Sequence, residues 1–161
     1  TIRQSEHRPC TMLSQLQTMN PSIKGKCTVA MQKFQQGMAE ARWHLEYSCM
    51  TYRNQLDRGR HFIHEHPWGV RSWDVACMRD LVVDRRVLIA KGDQCRFGLQ
   101  TTGDKGELGP ARKRTGFLSS SWSVVEEIDG TCNGRHDKHI RLLERRAKQA
   151  DVYPPALCQA M

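Results

Sequence analysis

No stretch of the chain approaches the roughly 20 apolar residues that a membrane-crossing helix needs. The opening residues Thr1-Ile2-Arg3-Gln4 lack the apolar core of a secretion signal. These two absences lead to the expectation of an intracellular protein, cytoplasmic or nuclear, with no membrane partner. CxxC pairs are missing as well: the seven cysteines are odd in number and scattered. That pattern implies neither a disulfide framework nor a zinc ribbon, and free thiols are expected. Internal repeats and low-complexity tracts are also absent.

What is present is basic and patterned. A chain of 161 residues suits one domain that can bury a core without crosslinks. With 39% hydrophobic residues and a mean hydropathy of −0.64 the composition is polar, but the apolar residues fall in periodic blocks that a disordered chain lacks. The net charge of +8 and pI of 9.4 favour polyanions, by attraction and by release of counterions from a phosphate backbone. Nucleic acid is the expected partner.

The periodicity divides the chain into alternating elements. After the turn signal Asn20-Pro21-Ser22, apolar residues recur at Met31, Phe34, Met38, Ala41, Leu45, Cys49, Tyr52 and Leu56. This three-four spacing predicts a helix over about 27–56, stopped by Gly59. Residues 60–66, ending at Pro67, predict a short strand whose carboxyl end carries polar groups. A turn over 68–73, a short helix capped by Asp74 and an apolar strand over 87–90 follow. Residues 103–109 read as a flexible loop, 115–119 as a strand, 121–128 as a helix opened by serine, and 139–150 as a further helix; Pro154-Pro155 starts one more turn. Such alternation predicts an α/β sheet covered by helices on both faces, with ligands beyond the carboxyl ends of its strands.

Three motifs stand in an order that suits nucleobase chemistry: Pro9-Cys10-Thr11-Met12-Leu13-Ser14, then His64-Glu65-His66, then Phe97-Gly98 followed by Pro110-Ala111-Arg112-Lys113-Arg114 ahead of Phe117. Together they resemble the cytosine-5 DNA methyltransferases over residues 9–117. Thr11 stands where that family has glutamine, Leu13 where it has phenylalanine, and the glutamine ahead of the two arginines is missing. The resemblance implies the rear half of a Rossmann-like methyltransferase sheet and a single incomplete domain over 1–161. It also assigns roles. Cys10 would attack carbon 6 of cytosine, and Glu65 would hold the ring at nitrogen 3. Ser14, Arg112 and Arg114 would bind the extruded nucleotide, and carbon 5 would take a methyl group from S-adenosylmethionine.

The cofactor half is the weak part of that reading. A glycine-rich turn and an acidic residue on the next strand build the family's adenosylmethionine pocket, and nothing before Cys10 supplies them. The expectation is therefore a methyltransferase-like domain that is truncated, completed by a second chain or upstream segment, or reduced to binding, and that does not turn over alone.

A different class remains open: a non-catalytic basic nucleic-acid-binding module, with or without a stabilising zinc ion. Cys132, His136 and His139 are close enough in sequence to share an ion, with no obvious fourth ligand, and the plainer reading of the two histidines is a solvated loop. His61, His64 and His66 form a second cluster, but strand alternation separates His61 from the other two.

Overall fold

The computed structural model describes residues 12, 28–136, 138–142, 147 and 150–161. Cys10 and Ser14 lie outside these. Among the described residues the backbone clusters into two compact units, one formed by those up to Arg60 with Gly69–Asp84, the other by His61–Trp68 with Arg85–Met161.

In the first unit the apolar periodicity produces helix α1, Thr28–Asp57. Ala41, Leu45, Cys49 and Leu56 of the expected stripe are buried, whereas Met31 is exposed. Gly59, at φ 65°, ends the helix; its amide and that of Arg60 bond back to the carbonyls of Leu56 and Gln55 at 3.0 and 2.8 Å. After a 3-10 turn at Arg71–Asp74, helix α2 covers Ala76–Val82. Asp74 does not cap it as expected, because Asp74 is itself inside the turn and the capping position falls to Val75, which makes no side-chain bond. Buried Met78 and Leu81 of α2 face the α1 stripe, with Met78 Sδ 3.4 Å from Cys49 Sγ.

The second unit is built on strands β1, Ile63–Pro67, and β2, Leu88–Asp93. A 3-10 turn at Gln94–Phe97 leads into a small hairpin of β3, Gln100–Thr102, and β4, Leu108–Pro110. Strand β5, Arg114–Ser119, follows. It is buried along most of its length and takes the central place in the order β1-β5-β2. It pairs antiparallel with both neighbours, so that Phe117 stands opposite Glu65 on one side and Ala90 on the other.

Helices α3, Trp122–Ile128, and α4, Pro155–Ala160, pack on the sheet through a core of Ala90, Phe117, Val125, Ile128 and Leu157. Burial of the four larger side chains contributes roughly 1.5–3 kcal/mol each. The fold is thus a mixture of helices and sheet, but both sheets are antiparallel, not the parallel arrangement of a doubly wound domain. The physical reason lies in β5, which is buried along most of its length and enters between β1 and β2 from the opposite end. No helix among the described residues is long and apolar enough to cross a membrane.

Candidate metal centre

Cys95, Cys132, His136 and His139 converge, with all four ligand atoms within 4.8 Å of one another. Two stretches of backbone bring them together. Cys95 is in the 3-10 turn that follows β2, and the other three belong to the loop after α3.

That loop is fixed at both ends. At its start, Gly130 pairs with Gly92, through bonds from Gly130 N–H to the Lys91 carbonyl (3.0 Å) and from Asp93 N–H to the Gly130 carbonyl (3.3 Å). Arg96 secures the same corner by donating to the carbonyls of Asp129 and Gly130 at 2.9 and 2.8 Å. A Cβ at Gly130 would lie 2.4 Å from that guanidinium, and its φ of 136° also favours glycine. At the far end, Ile140 N–H bonds the Pro110 carbonyl at 2.9 Å. The helix expected over 139–150 is therefore not formed at 139–142, because Ile140 is held as an extended bridge beside Ala111.

Between these anchors the side chains have a coordination-like geometry. Cys132 Sγ is 3.0 Å from His136 Nε2 and 3.6 Å from His139 Nε2, and His139 Nε2 is 3.3 Å from Cys95 Sγ. Zinc–sulfur and zinc–nitrogen bonds of about 2.3 and 2.0 Å place tetrahedral S and N ligands roughly 3.5 Å apart, so this donor set fits zinc after small adjustments. The histidine rings meet edge to face, with centroids 4.5 Å apart. Gly134 N–H donates to Cys132 Sγ at 3.3 Å, and Asn133 Oδ1 accepts from Arg135 N–H at 3.0 Å; both bonds hold the loop in shape. The two thiols differ. Burial, with the adjacent Cys132, pushes Cys95 up to about 12, whereas the Gly134 amide on its sulfur pulls Cys132 below the usual thiol range.

The residues expected to bind nucleotide are arranged otherwise. Asp93 is fully buried. Its Oδ2 accepts from Arg112 Nε (3.1 Å), Arg112 Nη2 (3.0 Å) and Arg114 Nη2 (3.2 Å), and its Oδ1 from Arg114 Nε (2.9 Å). Cys132 N–H also donates to Asp93 Oδ2, at 2.8 Å. Arg112 and Arg114 are thus brought together, but by Asp93 and not by Glu65. Glu65 was expected at a strand end and instead lies mid-strand in β1, opposite Phe117. Its Oε2 accepts from Tyr153 Oη at 2.5 Å, and its Oε1 is buried with no hydrogen-bond partner. His64 and His66 share one face with their rings 5.1 Å apart, and His61 bonds Ser120 instead.

Reading the sequence missed Cys95, Asp93 and Tyr153. The signal for the first two was positional, since Asp93-Gln94-Cys95 closes an apolar strand, where side chains emerge from a sheet edge. Comparison of the chain with protein-family models, with curated proteins and with solved structures finds no match.

Proposed function

We propose that this chain is a zinc-stabilised basic module that binds nucleic acid through its phosphates and carries out no chemistry of its own. The observation that carries the reading is the convergence of Cys95, Cys132, His136 and His139. A buried thiol, a half-buried thiol and two imidazoles from two separately anchored segments form a closed four-ligand set, and closed sets are structural where catalytic zinc keeps a position open. The excess of basic residues, net +8, supplies the attraction for a polyanion.

The test is metal content and melting. Purified chain is expected to carry one zinc per molecule, and chelation is expected to lower the melting temperature by about 8–16 °C, as loss of a ligand held at a thousandfold excess over its Kd would. Cys95→Ala should abolish zinc retention, whereas Cys158→Ser, at an exposed thiol outside the cluster, should not. A metal-free chain with unchanged melting would overturn the reading.

The methyltransferase-like reading is favoured by one observation of its own. β1 and β2 run in the same direction, each antiparallel to β5, and a partial Rossmann-like sheet also contains strands that share one direction. The unbonded Oε1 of Glu65 adds a carboxyl oxygen without a partner. Among the described residues no strand leads into a glycine-rich turn and a following acidic residue, so they do not fit S-adenosylmethionine, and a partner or further segment would have to hold it. Under this reading, DNA containing 5-fluorocytosine, supplied with adenosylmethionine and that partner, forms a covalent adduct that Cys10→Ser abolishes. Equal trapping by the variant would remove it.

A further inference from the structure

We infer that Arg112 and Arg114 form a phosphodiester-binding clamp whose geometry is set by the metal loop through Asp93. The inference rests on the zinc-module reading and adds the place where the polyanion is gripped.

A buried carboxylate needs one compensating charge. Asp93, fully buried, has two, and the cluster keeps a net positive charge. Both guanidiniums are anchored by Nε and Nη2, yet their side chains remain 42% and 38% exposed. Their remaining N–H groups are not used on Asp93. Two planar forks held side by side with part of their surface in water match the several acceptor oxygens of a phosphodiester. Because Asp93 already restrains both side chains, an anion binding there has less rotamer freedom to remove.

The link to the metal passes through single residues. Cys132 offers its sulfur to the metal cluster and its amide to Asp93 Oδ2. Cys95, the buried ligand, lies two positions after Asp93 on the same turn of chain. Fixing the two sulfurs therefore fixes the carboxylate that aligns the arginines. Linkage requires the converse: an anion that tightens the clamp must raise affinity for the metal by the same factor.

The experiment uses the zinc-loaded full chain and a fluorescent 20-nucleotide single strand and its duplex, with binding followed by anisotropy across a salt series. Arg112→Gln leaves Asp93 paired with Arg114. It is expected to weaken binding about five- to tenfold and to reduce the slope of log affinity against log salt by roughly 0.7–0.9, one phosphate contact. Arg112→Lys should recover the slope but not the full affinity. Lys105→Gln, in the exposed β3–β4 turn, should leave the slope unchanged. In the second arm, zinc affinity is measured by chelator competition with and without the oligonucleotide; it should tighten several-fold in the wild type and not in Arg112→Gln.

An unchanged slope in Arg112→Gln, or zinc affinity indifferent to oligonucleotide, overturns the clamp. Displacement of the oligonucleotide by low-millimolar inorganic phosphate would overturn the phosphodiester assignment in favour of a free-phosphate site. A chain that binds neither zinc nor oligonucleotide fails at the earlier reading instead, so the two failures are separable.

Discussion

His64 and His66 share the buried face of β1, with Nε2 of the first 3.2 Å from Nδ1 of the second. Burial, and then the neighbouring imidazole, lowers His64 to about 3; burial lowers His66 to about 4. Both folded values lie below the 6.5 of an exposed histidine, so as pH falls the unfolded chain takes up protons first. Their contribution to stability is complete above pH 6.5 and is lost as pH falls from there, toward about 4 for His66 and about 3 for His64. The slope approaches about 1.4 kcal/mol per pH unit for each imidazole. Urea unfolding is expected to show a loss of about 1–3 kcal/mol between pH 7.5 and 5.5. The variant with both His64→Gln and His66→Gln should show a smaller loss over the same interval. An identical loss in the two proteins would assign the acid sensitivity elsewhere, with His136 and His139 of the candidate metal cluster the next group to test.

At the scale of elements, local pattern was legible and long-range partnership was not. The stripe from Met31 to Leu56 and the stop at Gly59 located the carboxyl end of α1 to within a residue, because a three-four spacing and a glycine act within a few turns. The apolar run around Val87-Leu88-Ile89-Ala90 located β2 but ended it early, since polar Lys91 and Asp93 continue the strand by pairing with Gly116 and Arg114. The hairpin β3–β4 was invisible in a polar stretch rich in Thr and Gly. Its short register comes from backbone pairing of Gln100 with Pro110 and Thr101 with Gly109. Three of the four residues of the candidate metal cluster were legible as a group because Cys132, His136 and His139 are near neighbours in the chain. Cys95 was not, because it comes beside Cys132 through long-range bonds, the pairing of Gly92 with Gly130 and those from Arg96 and Cys132 across the same corner. Arg112 and Arg114 were singled out as a pair through the resemblance to a motif with two alternating arginines, but their shared partner Asp93 depends on the register of β2 against β5.

At the scale of the whole molecule, the metal ligands all fall within one of the two compact units. The first unit draws its core from α1 and α2, through Leu45, Cys49, Met78 and Leu81, and contains none of the ligands. The second joins its sheet edge to the metal loop through Gly130, Asp93 and Arg96, so loss of the ion should loosen β2 and β5 before it reaches α1. Native proteins open in such cooperative pieces, and exchange of backbone amides resolves them. Hydrogen exchange read by mass spectrometry, with and without chelator, is therefore expected to show lost protection at residues 88–93, 114–119 and 130–140. Peptides from 41–56 and 76–82 should exchange at nearly the same rate in both conditions. If those helical peptides lose protection to the same extent as the sheet, the metal stabilises the chain as one cooperative unit, and the assignment of its effect to the sheet-bearing half is wrong.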